Sequence, residues 1–546
     1  MKDLIFGLIG GTALLMYGVN KMGTGLEKAA GKMMKKILTV LTGKVWSAFI
    51  VGIILTALVQ SSTAITVLTV GFVNAGLMNL SQATGIIFGA NIGTTVTAQL
   101  MAVSVKFKLT EIALPILGIG FLISYSFKKE TIKHLGDAIM GFGLMFLGLK
   151  ILNGGVPIIQ QSESIRYFFE TYASIPIIAV LLGACATALV HSSSATIGLV
   201  LVLAQAGLLD LSSAVCIMLG DNIGTCVSAQ LASLTGNING RRTAWAHTLY
   251  NCFGVLLMAI FFKPFIALIQ IITMNLQNSS DINLQIANSH TLFNIINSMI
   301  FLPLNKYYVK FLEKLIRERK NEVGFAPLDK LLLSTPIAAL KASLSELIKA
   351  TEISKEMVKH SMDCFFNNDD KTLNEINNNE NILNSIQKDI TSYMVELGKK
   401  PLSEAHSKMV PAFINSVNNV ERAGDYAKEF ITFINIKITR ELSFSSESVK
   451  ELRELEMVVM EMFDCTLKAL GTNDPNLREK VKCLENKIDA LSDTISQNHI
   501  RRLENGSCKV ESGVILLDVV THLERIADHI YKVCMIGTNE LLDLSL

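Results

Sequence analysis

The chain has 546 residues, with 49 Lys and Arg against 47 Asp and Glu; the formal net charge of +2 says little, but the basic residues flank apolar segments or are balanced by acids, which leaves no nucleic-acid signature. Half of its residues are hydrophobic and the mean hydropathy is +0.42, which sets aside an ordinary soluble protein and points to the membrane. Only ten acids occur up to residue 310; the other 37 lie beyond, so an apolar N-terminal part is followed by a charged C-terminal one. The expected division is a first membrane repeat at 1–134, a second with extra membrane helices at 135–310, a linker at 311–334 and a cytoplasmic helical domain at 335–546. The nine cysteines form no CxxC pair, so neither a disulfide framework nor a zinc ribbon is indicated.

In chain order, the apolar run Leu4–Met22 lacks a convincing cleavage site and reads as a retained membrane helix. Residues 46–78 read as a hairpin turning at Ser61-Ser62, inside "TALVQSST" (Thr56–Thr63). Segments 80–101, 110–127 and 136–152 follow, and 174–208 reads as a second hairpin around "TALVHSSS" (Thr187–Ser194). Segments 211–233, 243–262 and 286–304 complete the apolar half.

This half repeats itself. Gln60 falls on His191 and Asn91 on Asn222, both at an offset of 131, and "GANIGTTVTAQL" (Gly89–Leu100) returns as "GDNIGTCVSAQL" (Gly220–Leu231). Upstream the offset slips to 130, where Leu14–Gly18 falls on Leu144–Gly148. Basic clusters at Lys28–Lys44, Lys128–Lys133, Arg241–Arg242 and Lys306–Lys320 all reach one side if the two hairpins enter from opposite faces, as in an inverted-repeat transporter.

Broken helices survive in a bilayer only where protein or a water-filled cavity covers their free backbone groups. The candidate substrate and ion ligands are therefore Gln60, Ser61, Ser62 and Thr63 in the first hairpin and His191, Ser192, Ser193 and Ser194 in the second. Their hydroxyls and the helix starts behind them suit an anion. Asn91, Thr94, Thr95, Asn222 and Thr225 in the NIGT turns offer oxygens to a hard cation such as sodium. Asp221, whose counterpart is Ala90, is an intramembrane carboxylate and a further candidate, with a paired structural acid or a place in a wet vestibule as the alternatives. An isolated Ser-Ser pair more often only lets helices pack closely; two such pairs repeated in register favour a site. "HTLYN" (His247–Asn251) and "HTLFN" (His290–Asn294) read first as interhelical hydrogen-bonding motifs.

"QSSTA" and "HSSSA", each followed by NIGT, resemble the paired QSSS motifs of type II sodium/phosphate cotransporters and their bacterial relatives over residues 1–310. The resemblance implies sodium-coupled transport of inorganic phosphate, with both motifs serving the substrate and sodium sites. Thr63 departs from that pattern and keeps a hydroxyl; His191 departs from it and adds a titratable ring.

Beyond Pro327 the pattern is helical, over 335–367, 370–398, 403–437, 445–471, 474–504 and 509–541, as in two three-helix bundles. "NNVERAGDYA" (Asn418–Ala427) returns as "THLERIADHI" (Thr521–Ile530), and "ENILNSIQKDI" (Glu380–Ile390) as "ENKIDALSDTI" (Glu485–Ile495). Each ExxxD places two carboxylates on one helix face: Glu421 with Asp425, and Glu524 with Asp528. A solvated acidic face is the ordinary meaning of a single such pair. The duplicated E-R-[AI]-[GA]-D core resembles the PhoU family of phosphate-regulatory proteins over about 335–541, which implies a divalent or iron-type metal on these four acids.

The expectation is thus an all-α polytopic membrane transporter with two inverted repeats and re-entrant hairpins, plus a cytoplasmic pair of three-helix bundles. Its partners are inorganic phosphate, sodium and the bilayer of the cytoplasmic membrane; self-association and the direction of transport stay open. A membrane-anchored phosphate sensor and a proton-coupled phosphate exporter are the alternatives. Catalysis is not expected, because serines beside His191 on one turn do not make a triad.

Overall fold

The computed structural model describes residues 2–30, 44–74, 76–161, 163–234, 237–317, 328, 330–334, 336–367, 373–400, 402–472 and 474–541. Among them the chain is helical with no strand. It divides into two compact units, one of residues 1–74 and 78–322, the other of 323–546 together with 75–77. Residues 31–43 of the first basic cluster and 318–320 of the last lie outside the described residues.

In the membrane unit, α1 (Lys2–Ala29) precedes a broken pair, α2 (Val45–Val59) and α3 (Ser62–Asn74). Next come α4 (Leu80–Lys106), α5 (Ala113–Ser126) and α6 (Glu130–Gly154). Short helical turns at 156–173 lead to the second broken pair, α7 (Pro176–Val190) and α8 (Ser193–Gln205). Then follow α9 (Leu211–Gly224), α10 (Cys226–Ser233), α11 (Ile238–Ile260), α12 (Phe262–Gln277), α13 (Ile282–Phe301) and α14 (Asn305–Leu315). Among the described residues, five stretches are long and apolar enough to cross a membrane: 80–106, 109–126, 130–154, 211–233 and 238–260. The four halves of the broken pairs are shorter apolar helices. The expected segments do not include 263–285, where α12 lies, or the separate helix α14; only Phe261 separates α11 from α12, too close for periodicity to divide them.

The duplication is also one of packing. In the first copy, a Cβ on Gly52 would overlap the Ile86 carbonyl and one on Gly89 the Phe49 carbonyl. In the second, Gly183 meets the Ile217 carbonyl and Gly220 that of Val180, each partner 131 residues on. Both hairpins therefore press their first helix onto their own NIGT helix, at a backbone approach only glycine permits. The equivalent helices α1 and α6 pack on each other. Cβ atoms on Gly18 and Gly141 would each come 2.7 Å from the other's carbonyl oxygen, and Gly11 and Gly148 meet likewise at 3.1 and 2.7 Å. The first residue of each pair rises as the second falls, so the helices run antiparallel. The offset of 130 carries Gly11 to Gly141 and Gly18 to Gly148, so one contact maps onto the other. Around this pair lies an apolar core of Leu15, Met145, Phe146, Leu149, Leu201 and Ile286.

In the charged unit, helices α15 (Pro336–Asn367), α16 (Leu373–Gly398) and α17 (Glu404–Thr439) are followed by α18 (Ser446–Thr472), α19 (Pro475–Glu504) and α20 (Val510–Glu540). Each trio buries an apolar stripe, with Leu347, Ile386, Phe413 and Val417 in the first and Leu455, Ile488, Leu516 and Leu523 in the second. The trios meet through α17 and α20, where His529 Nδ1 pairs with Asn419 Oδ1 at 2.9 Å and the His522 ring packs edge-on against Tyr426. The offset of 103 carries Asn419 to His522 and Tyr426 to His529, so this second duplication also closes on a local two-fold.

Candidate functional site

Each hairpin breaks in the same way. Gln60 ends α2 in a left-handed conformation with φ 59°, and His191 ends α7 with φ 53°. Such a conformation costs a non-glycine residue about 1–3 kcal/mol and persists only where its surroundings demand it. The next residue caps the following helix. Ser61 Oγ accepts from the Ala64 amide at 3.2 Å and Ser192 Oγ from the Ala195 amide at 3.3 Å. Helix starts leave their first amides without intrahelical partners, so those of Ser62 and Thr63, and of Ser193 and Ser194, are available to an anion.

A hydroxyl just past each NIGT motif, Thr97 on α4 and Ser228 on α10, ties down the left-handed residue. Thr97 Oγ1 donates to Gln60 Oε1 at 2.6 Å, while Gln60 Nε2 donates to the Ala57 carbonyl. In the second copy His191 Nδ1 and Ser228 Oγ stand 3.1 Å apart. Thr97 and Ser228 are 131 residues apart and were missed from sequence, although both repeat motifs carry a hydroxyl six residues after the Asn. The copies differ in burial. Gln60 is 9% exposed and Ser62 6%, whereas His191 is exposed and Ser192–Ser194 are half-buried.

The NIGT side chains are held by their own helices. Asn91 Nδ2 donates to the Ile87 carbonyl at 2.8 Å and Asn222 Nδ2 to that of Met218 at 2.9 Å. The hydroxyls of Thr94, Thr95 and Thr225 donate to the carbonyls of Ala90, Ile92 and Asn222. A hydroxyl whose proton is committed in this way still presents its lone pairs.

Asp221 is 1% exposed. Its Oδ1 accepts from Thr187 Oγ1 at 2.5 Å, Thr187 also lies 2.8 Å from Thr196 Oγ1, and Oδ2 has no hydrogen-bond partner. In the first copy Ala90 stands in place of Asp221, and the hydroxyl of Thr56, the counterpart of Thr187, is buried without a partner. The two repeats are thus alike in the backbone of their hairpins and unlike in the charge beside them. Among the described residues no hydrogen bond joins one hairpin tip to the other.

The two HTLxN motifs bracket these helices. Gln99 Nε2 donates to Thr291 Oγ1 at 2.9 Å and Gln230 Nε2 to Thr248 Oγ1 at 2.7 Å, so α13 serves the first NIGT helix as α11 serves the second. Asn294 Nδ2 lies 3.4 Å from Asn222 Oδ1 and Asn251 Nδ2 3.3 Å from Cys226 Sγ. The interhelical reading holds for these asparagines. It fails for His247, whose two ring nitrogens are buried with no hydrogen-bond partner.

In the charged unit the acids gather in two groups. Burial, then Asp425 and Glu380, raise the Glu421 carboxyl above its usual range; burial and Glu380 raise Asp425. Burial, then Asp489 and Asp528, raise Glu524. Yet among the described residues no three His, Cys, Asp or Glu side chains stand close enough to hold a metal ion. Glu421, Asp425, Glu524 and Asp528 are not assembled into such a ligand set. In the first group Lys428 sits 3.0 Å from Glu380 and takes up part of its charge.

Residues 14–154 and 160–282 match the Na+/Pi-cotransporter family, and 347–434 and 452–536 match the PhoU domain. The uncharacterized protein YqeW of Bacillus subtilis is 30% identical over 315 residues, 57% of this chain and 98% of its own length. A protein of Escherichia coli K12, provisionally named inorganic phosphate export protein YjbB, is 25% identical over 524 residues, 95% of this chain and 94% of its own. Rat sodium-dependent phosphate transport protein 2A is 35% identical over 98 residues, 17% of this chain and 15% of its own. Two motif-bearing repeats and a duplicated helical unit thus accompany matches that span both halves, and the chain belongs to the Na+/Pi-cotransporter family of membrane phosphate transporters, with a C-terminal PhoU domain.

Proposed function

We propose that the chain is a sodium-coupled carrier of inorganic phosphate in the cytoplasmic membrane, with its PhoU domain on the cytoplasmic side as a regulator. The observation that carries this reading is the hairpin break made twice, with a left-handed residue, a serine cap and a hydroxyl latch in each copy. Phosphate is bound by the hydroxyls of Ser61, Ser62, Thr63 and Ser192–Ser194 with the free amides behind them, which donate to its oxygens and follow its negative charge. Sodium is held near Asp221, Asn91 and Asn222, with the lone pairs of Thr94, Thr95 and Thr225 as further hard oxygens. The unpaired Oδ2 of Asp221 supports a cation there, because a buried carboxylate oxygen without a partner is costly.

The antiparallel, self-mapping contact of α1 with α6 supports an inverted pair of repeats, since equivalent helices that run oppositely cross a membrane in opposite senses. Binding from either face then needs no second site. Phosphate flux in proteoliposomes, with and without a sodium gradient, tests the reading for wild type and a Ser61/Ser62/Ser192/Ser193→Ala variant. Sodium-driven flux lost in the variant is the expected result; flux indifferent to sodium sinks the coupling. A second reading is that net movement in the cell is outward, favoured by the export named for the relative that spans 94% of its own length here. Efflux from phosphate-loaded vesicles that outpaces uptake under a physiological sodium gradient is its test.

A further inference from the structure

The last helix of the membrane unit, α14, has three faces. At about 100° per residue, Asn305, Tyr308 and Leu312 fall on one arc, and all three are buried. Tyr307, Phe311 and Leu315 form the neighbouring arc and are 71%, 43% and 53% exposed. Lys306, Lys310 and Lys314 form the next and are exposed, with Glu313 the sole acid of the helix. The buried arc is firmly seated. Tyr308 OH donates to the Ala246 carbonyl at 2.6 Å; Asn305 donates to Ser81 Oγ at 2.9 Å and accepts from Thr84 Oγ1 at 2.6 Å. Just beyond the helix, Arg242 Nε donates to the Ile316 carbonyl at 3.0 Å, bringing another cation to its end.

We propose that α14 lies along the bilayer surface and binds anionic phospholipid headgroups. The order of the arcs argues for this occupant. An apolar strip between a protein-facing arc and a row of lysines lets Tyr307, Phe311 and Leu315 sink to the acyl boundary while the lysine stems rise to lipid phosphates. A second copy of the chain on this face would bring lysine row against lysine row, whereas an anionic leaflet complements it. The contact also reaches the transport machinery, because Asn305 grips the first turns of α4, the helix that carries Asn91.

A single-tryptophan reporter tests this. The full chain carrying Trp46→Phe, Trp245→Phe and Tyr307→Trp is reconstituted in phosphatidylcholine vesicles with and without phosphatidylglycerol, the bromines placed on the acyl chains of one lipid at a time. Phosphate flux and a parallel Phe311→Trp reporter certify folding. The expected result is blue-shifted emission, quenched more by brominated phosphatidylglycerol than by brominated phosphatidylcholine at equal mole fraction. Each Lys→Gln change at 306, 310 or 314 weakens that preference about fivefold at low salt. An unquenched reporter, whether red-shifted in water or blue-shifted under protein, overturns the membrane placement. Equal quenching by both lipids, unmoved by the lysine changes, overturns the headgroup preference.

Discussion

The two hydroxyl latches bond equivalent residues in different surroundings, and burial sets what each contributes. Thr97→Val keeps the volume of the side chain and removes the donor to Gln60 Oε1. Gln60 and Thr97 are 9% and 2% exposed, so little water replaces the lost donor. Leaving a buried acceptor unpaired costs about 1–3 kcal/mol, and the strained left-handed break at Gln60 loses one of its restraints. If the latch holds the hairpin in its binding position, that energy weakens apparent phosphate affinity by about five- to 150-fold. Ser228→Ala removes the equivalent partner of His191, but His191 is exposed and solvent substitutes. The loss there is about 1 kcal/mol or less, under about fivefold. The assay is the half-saturating phosphate concentration for flux in proteoliposomes, with Tm in detergent alongside. Thr97→Ser retains the donor and should restore wild-type behaviour. A Ser228→Ala defect as large as that of Thr97→Val would refute the burial argument, and a Thr97→Ser variant as impaired as Thr97→Val would refute the latch.

Asp221→Asn keeps an acceptor for Thr187 and removes the charge, so the half-saturating sodium concentration should rise about tenfold or more while the fold survives; an unchanged sodium titration would remove Asp221 from the ion site. Gly89→Ala and Gly220→Ala drive a methyl into the carbonyls of Phe49 and Val180, expected to cost at least about 1–3 kcal/mol each in detergent melts, whereas Gly118→Ala has open space and should be near neutral. In the PhoU domain, burial and the carboxylates of Asp528 and Asp493 raise Asp489, whose counterpart in the first copy is Asn384. A raised folded-state carboxyl binds its proton more tightly than the unfolded chain does. Its penalty is therefore present at neutral pH and is relieved as pH falls through the raised range toward the ordinary value near 4. Asp489→Asn should accordingly stabilise the full-length protein at pH 7 by a few tenths of a kcal/mol, an effect that fades at high salt and on acidification. A drop in Tm at pH 7 that added divalent metal makes larger would instead mark Asp489 as a ligand.

Much was legible in one dimension. The copies at offsets 131 and 103 are visible as strings, because each duplicated unit meets the same local demands. The hairpin breaks were expected at Ser61-Ser62 and their second-copy equivalent, and they fall at Gln60–Ser61 and His191–Ser192; a polar knot between apolar helices has no other use for its backbone. The six helices of the charged unit start and stop within three residues of their expected bounds, since a 3.6-residue apolar period runs through each. What sequence reading missed depends on which helix lies beside which. Thr97 and Ser228 look like two more hydroxyls in a membrane helix until α2 and α7 bring Gln60 and His191 to them. Asp221 looks like a lone intramembrane charge until Thr187, 34 residues away, meets it. Paired ExxxD motifs promised a metal set, but spacing along one helix fixes only a shared face, and the approach of a second carboxylate pair is a matter of bundle packing. Repeat and period are properties of neighbours along the chain and could be read from the string alone; partner, burial and charge balance are properties of neighbours in space, and only the packed helices decided them.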